Sequence, residues 1–346
     1  MITQVEEWGR LSDGAAVHRW TLERAGTRAR VLTYGGIVQS VERPDRDGTV
    51  ADVVLGFDGV AGYEERPEPY FGALVGRYAN RIRDGVFRLD GRTHRLARNG
   101  GPHSLHGGER GFDKHVWEAA EVDCGVRLSR VSPDGEEGFP GRLEVSATYT
   151  LDGDGALCVA YRAVTDAPTV VNLTNHTYWN LGGAHELWVA AAHHTPSDAT
   201  GVPTGELAPV AGTRLDFRTP RPVGTGLDDN FALDRAVGTA GSVAVGGVLG
   251  GAAGGPAGGA VGGAVAAGPG EPDGPVAELY APATGRVVTV WTTEPGLQVY
   301  APDHLDGVAL ETQAFPDSPN RPEFPSTVLR PGEVYASRTR YGFGVR

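Results

Sequence analysis

The sequence predicts an all-β protein built as a large antiparallel sandwich, and three observations carry that prediction. Hydrophobic residues recur with period two rather than 3.6, short strand-like runs are separated by Asp-Gly turns, and no helical period with caps is sustained over about 12 residues. The period is clearest over 142–151. There Leu143, Val145, Ala147, Tyr149 and Leu151 lie on one face, and Arg142, Glu144, Ser146, Thr148 and Thr150 on the other, as in a half-buried antiparallel strand.

The elements follow in order. Strands are expected at 30–34, 37–42 and 52–55, where apolar residues alternate or cluster between polar turns. Asp90-Gly91 separates 86–89 from 93–96 and predicts a hairpin, since this dipeptide accepts the positive φ angles of a tight turn. Asp152-Gly153-Asp154-Gly155 turns the 142–151 strand into its neighbour, with Leu157, Val159, Tyr161 and Ala163 inward. Further strands are read at 287–292, 297–301, 308–315 and 334–340. Strand signals run from 17 to 343 without a compositional break, so one domain is expected over 1–346. The exception is 238–275, a Gly, Ala, Val and Pro stretch whose glycine pairs recur at 246, 250, 254, 258 and 262. Glycine pairs weaken a helix by roughly 1 kcal/mol per residue, so this stretch, with almost no charge, reads as a low-complexity insertion between two strands.

At 346 residues, with 40% hydrophobic and 21% charged side chains, the chain holds material for a sizeable core. A formal charge of −12 argues against a nucleic acid backbone or an anionic membrane surface as partner. No apolar run reaches the roughly 18 residues of a membrane span. The N-terminus lacks a basic start followed by an apolar core, so no signal peptide is expected and the location is read as cytoplasmic. Cys124 and Cys158 have neither metal nor redox spacing and read as free thiols. Lys114 is the only lysine; it is expected in an exposed charged turn, which leaves Schiff-base chemistry no good candidate.

Five segments carry groups a core does not need. Asn172-Leu173-Thr174-Asn175-His176-Thr177-Tyr178-Trp179-Asn180-Leu181 packs amides, hydroxyls, an imidazole and two aromatic rings together. Aromatic faces cover C–H surface and amides exchange hydrogen bonds with hydroxyls, which suits a polyhydroxylated ligand; the bland reading is a polar loop with a satisfied histidine. Gly76-Arg77-Tyr78-Ala79-Asn80-Arg81-Ile82 is either a solvated basic turn or part of that pocket. His103-Ser104-Leu105-His106-Gly107-Gly108 has two histidines three apart, but no third ligand at metal spacing; its glycines are expected to let the backbone pass close to a ligand. Gly226-Leu227-Asp228-Asp229-Asn230-Phe231 reads as an acidic turn. In the 308–315 strand, Glu311 shares a face with Ala309, Gln313 and Phe315, and Gln298 shares one with Tyr300 on the preceding strand. A carboxylate inside an apolar strand is paired, outward-facing, or held in a pocket with a perturbed pKa. His193-His194 point to opposite faces and read as structural. Together these groups suit proton transfer on a sugar by a general acid and a general base on opposite sides of the ligand.

On these motifs, with Gly111-Phe112-Asp113, Leu310-Glu311-Thr312-Gln313, Phe324-Pro325 and Leu329-Arg330-Pro331-Gly332-Glu333, the chain resembles the aldose 1-epimerase (galactose mutarotase) family over nearly its whole length. The resemblance implies a β-supersandwich and interconversion of the anomers of an aldohexose such as glucose or galactose. It implies Glu311 as general base, His176 as general acid, and His106 as a hydrogen-bonding group near the ring oxygen. Asn80, Arg81, Asp228 and Gln298 would hold sugar hydroxyls. No metal or organic cofactor is implied, and the chain is expected to act as a monomer or weak dimer. Pro102-His103 stands where a small amide such as Asn is more usual, which is expected to alter that loop. A hexose-6-phosphate epimerase would need more basic residues than Arg77 and Arg81 supply. A sugar-binding domain would need no acid–base pair, and a glycosidase would leave His176 without a role.

Overall fold

The computed structural model describes residues 2–234 and 273–346; all but the last three positions of the predicted insertion lie outside them. Three antiparallel sheets make up most of the described chain. A five-stranded sheet runs in sequence order through Ile2–Arg10, Ala16–Arg24, Thr27–Leu32, Val38–Pro44 and Val50–Asp52. The nine-stranded sheet is ordered Glu118–Val122, Gly125–Ser132, Leu143–Leu151, Leu157–Thr165, Tyr335–Val345, Arg286–Thr292, Ala277–Tyr280, Glu186–Val189, Arg221–Pro222. The third sheet is ordered Tyr178–Trp179, Val308–Gln313, Gly296–Ala301, Leu227–Ala232, His193–Thr195, Ala208–Pro209. The described α-helix, Val60–Glu65, is a single short piece and no described helix is long and apolar enough to cross a membrane.

The alternation read from the sequence is the alternation observed. Along Leu143–Leu151 every second residue, Leu143 through Leu151, is buried, and Asp152 closes the following turn by accepting from the N–H groups of Asp154 and Ala156. Asp90 and Gly91 both take positive φ in the predicted hairpin. The expected acidic turn before Phe231 is instead a strand, Leu227–Ala232, paired along its length with Gly296–Ala301. Its acidic residues mask a period of two, because Asp228 and Asn230 belong to the face that lines the cleft. The Ile2–Arg10 strand carries no buried residues, so no hydrophobic period marked it.

One contiguous core joins the sheets, with Trp20, Val31 and Val38 from the first, Val145, Val159 and Val290 from the second, and Leu297 and Leu310 from the third. The Tyr149 hydroxyl crosses this core to donate to the Gly36 carbonyl at 2.7 Å. Tyr149→Phe leaves that buried oxygen without its donor and is expected to lower unfolding stability by about 1–2 kcal/mol. Urea denaturation measures it, and an unchanged midpoint with unchanged slope would mean that this tie contributes nothing.

Candidate active site

Strand register brings the polar groups together. Residues directly opposite one another in an antiparallel pair project to the same side. Asn230, Gln298 and Glu311 form one such row across three strands, and Asp228, Tyr300, Ala309 and Tyr178 the next. The strand Val308–Gln313 is buried on both faces. Thr312 turns to the nine-stranded sheet, where its hydroxyl meets that of Thr339 at 2.6 Å, and Glu311 therefore turns toward the cleft. His176, two residues before Tyr178, comes level with it: Nε2 lies 3.5 Å from Glu311 Oε1. Buried Gln298 donates from Nε2 to Oδ1 of exposed Asp228 at 2.6 Å.

His106 enters from another loop. Its Nδ1 accepts the Asn80 backbone N–H at 3.2 Å, and its own backbone N–H returns a bond to the Asn80 carbonyl. Its ring stands edge-on to His176 with centroids 5.3 Å apart. Tyr70 covers both imidazoles, at 4.7 Å from His106 and stacked at 5.8 Å on His176, and Tyr178 and Tyr300 flank His176. Tyr70 was not singled out in the sequence. It lies in a loop with no motif, and its only signal is the aromatic pair Tyr70-Phe71 beside two prolines.

All seven residues singled out for chemistry or binding thus border this cleft or its walls. Arg81 stacks its guanidinium beside Gly201 and acts electrostatically on both Asp228 and Glu311. Asn80 uses its side-chain oxygen on the Arg81 N–H at 2.8 Å.

Several expectations are corrected. Arg77 is no solvated turn residue: it is 2% exposed and donates to the carbonyls of Pro140, Gly141, Ser132 and Pro133. Gly107 and Gly108 serve chain packing rather than a ligand: a Cβ at Gly107 would meet the Gly76 oxygen at 1.9 Å and one at Gly108 the Glu137 carboxylate at 2.2 Å. Lys114 is not free in solvent but paired with buried Asp113 at 2.8 Å, 5.3 Å above the Tyr70 ring. His103 keeps its loop in order by accepting the Asp84 N–H on Nδ1 at 3.0 Å, a bond an Asn side-chain oxygen can also accept. His176 and Glu311, expected on opposite sides of a ligand, instead stand side by side, with Nε2 3.5 Å from Oε1.

His106, His176 and Glu311 each offer a donor atom within 4.8 Å of the others, a spacing that raises the question of a metal. The surroundings answer it. A metal-ligating histidine donates its second ring N–H to an acceptor, whereas His106 Nδ1 receives a hydrogen from Asn80. Its Nε2 therefore carries the proton and presents a donor, not a lone pair. The set fits proton chemistry and does not fit a metal ion.

Burial dominates the electrostatics. It pushes the His176 imidazole down to about 4, and lowers His106 well below the ordinary range with help from the charges of His176, Arg81 and Lys114. It drives the Glu311 carboxyl well up, reinforced by Asp228 and opposed by Arg81. Among the described residues, Glu311 Oε2 and His176 Nδ1 have no protein partner.

Stacked antiparallel sheets that bury an imidazole–carboxylate pair define the class, a β-sandwich with a site suited to proton transfer. Comparison with known proteins gives the family. Residues 18–342 match the aldose 1-epimerase family model. The chain is 41% identical to galactose mutarotase of Homo sapiens and 33% identical to aldose 1-epimerase of Escherichia coli (strain K12), each over 96% of both chains. Among solved structures it is similar to a galactose 1-epimerase from Lactobacillus acidophilus NCFM, with a TM-score of 0.79 and 26% identity over 99% of both chains. The chain belongs to the aldose 1-epimerase family.

The two opposed shifts predict opposed pH dependences. Between about 4 and 6.5 the unfolded chain binds a proton at His176 that the folded chain refuses, so this group removes stability as pH falls through that window, by up to about 3 kcal/mol. Glu311 holds its proton in the folded state above the ordinary 4.5, so it adds stability as pH falls. Glu311→Gln is therefore expected to lose stability on acidification more steeply than wild type, and His176→Gln less steeply. Urea unfolding at about pH 5 and about pH 7 checks the signs; parallel profiles for all three proteins would contradict the pairing.

Proposed function

We propose that this protein is a mutarotase, an isomerase that interconverts the α- and β-anomers of free aldohexoses such as glucose and galactose by opening and reclosing the ring. The observation that carries the reading is the buried Nε2 of His176 held 3.5 Å from Glu311 Oε1. The ring oxygen and the anomeric hydroxyl share carbon C1, so an acid and a base this close address both oxygens at once.

Glu311 takes the proton of the C1 hydroxyl while His176 gives one to the ring oxygen, and the C1–O5 bond breaks to leave an open-chain aldehyde. Rotation about C1–C2 presents the other face. The 5-hydroxyl then attacks C1, returns its proton to His176, and the carbonyl oxygen takes one from Glu311. The pair holds one proton in total, on His176 before opening and on Glu311 after it. Burial favours the neutral distribution, and sugar hydroxyls donating to the carboxylate favour the charged one. No electron changes hands. His106 donates near the ring oxygen, and Asn80, Arg81, Asp228 and Gln298 hold hydroxyls, with the tyrosines against C–H surface.

Free sugars rather than hexose 6-phosphates are supported by Arg77 and Lys114. The guanidinium of Arg77 is committed to backbone carbonyls and Lys114 to Asp113, which, among the described basic residues of these motifs, leaves Arg81 without a companion to clamp a phosphate. Polarimetry on freshly dissolved α-D-glucose and α-D-galactose tests the reading: wild type accelerates the change in rotation, and Glu311→Gln lowers kcat by about 10²–10⁴. His176→Gln is expected to act on kcat more than on KM. Near-normal turnover by Glu311→Gln would overturn the base assignment, and faster conversion of glucose 6-phosphate than of glucose would move the substrate class.

A further inference from the structure

The two imidazoles in the cleft are not held alike. His176 Nδ1 has no protein partner among the described residues, and its Nε2 faces the Glu311 carboxylate. His106 has its Nδ1 closed off by a main-chain donor, the N–H of Asn80. That donor can aim there because Asn80 sits at φ 65°, and the loop it meets turns at His106 with φ 51°. The reciprocal bond from the His106 backbone N–H to the Asn80 carbonyl fixes the two peptides against each other. The short pair Arg81–Ile82 with Ser104–Leu105 continues the contact.

We propose that Asn80 acts on His106 through its main chain, as a positioning residue that locks the imidazole in its neutral Nε2–H form and so makes it a permanent hydrogen-bond donor to the sugar. A proton on Nδ1 would face the Asn80 hydrogen across 3.2 Å, so neither the other tautomer nor the imidazolium fits without turning the ring or the peptide. Proton traffic is thereby confined to the His176–Glu311 pair, and His106 stabilises charge at the ring oxygen without exchanging a proton. The side chain of Asn80 acts separately from its main chain. Its oxygen holds the Arg81 N–H, and its NH₂ is the part that meets a hydroxyl. The left-handed backbone explains the residue type, since Asn and Gly adopt it with least cost.

The inference rests on the mutarotase reading only for the use made of the donor; the tautomer itself is a property of the sugar-free protein. Long-range ¹⁵N–¹H correlation on ¹⁵N-histidine-labelled protein reads it directly, with the His106 resonances identified by their absence in His106→Gln. The expected result is a neutral Nε2–H ring that does not titrate from about pH 8 down to about pH 5. Asn80→Gly keeps the main-chain donor and the left-handed turn, so its His106 remains Nε2–H while KM for the sugar rises. Asn80→Ala, strained at this φ, is expected to let His106 titrate and to lower kcat several-fold beyond Asn80→Gly. An Nδ1–H or freely titrating His106 in the wild type would overturn the proposal, as would identical His106 spectra in Asn80→Gly and Asn80→Ala. A locked ring in a protein inactive on every aldose would instead overturn the functional reading and leave the lock standing.

Discussion

The constraint on which the rest depends is the burial of an imidazole and a carboxylate beside each other, 3.5 Å apart, with almost no solvent contact. Each group alone resists ionisation there, and together they can hold a single proton between them in either place. On the proposed mechanism that makes the pair reversible by construction, as anomer interconversion requires. It also makes the site costly. Removing charge from water costs several kcal/mol per ion when it is not compensated.

The architecture answers that demand by division of labour. Sheet register sets the carboxylate: Glu311 is fixed opposite Gln298 on a strand buried on both sides, so its direction follows from the pleat. The imidazoles arrive on loops, and loops need other anchors. Asn172 donates to the Ala79 and Ala314 carbonyls and accepts the Ala314 N–H, tying the Asn80 segment to the end of the Glu311 strand. Asp317 repeats the device, with its N–H on the Arg81 carbonyl and its carboxylate on the Arg83 N–H. Arg77 fills the space behind, its two terminal guanidinium nitrogens donating to four carbonyl groups. Much of the polarity in the motifs therefore builds the frame of the site.

That division explains what was legible. Period-two strands and Asp-Gly turns are local consequences of the pleat and of positive φ, and they read directly from residue order. Glu311 stood out because a carboxylate in an apolar strand violates its own surroundings. Arg77 misled for the opposite reason: an arginine in a Gly-flanked segment looks solvated until the carbonyls that receive it, 55 to 64 positions away, are in place. Tyr70 had no motif around it, since its ring gains its place from the two imidazoles folded beneath it.

By itself, the sequence determined the strands that alternate, the Asp-Gly turns, and through its motifs the family they resemble with its candidate acid and base, because each of these depends on neighbours in the chain or on a patterned order of residues. Only the tertiary structure decided that Glu311 and His176 stand side by side, that the Asn80 N–H closes off His106 Nδ1, and that Arg77 belongs to the frame. Those properties depend on distances of a few ångströms between groups far apart in the chain, and on which atom of each already has a partner. Residue order does not encode either one until the sheets are stacked.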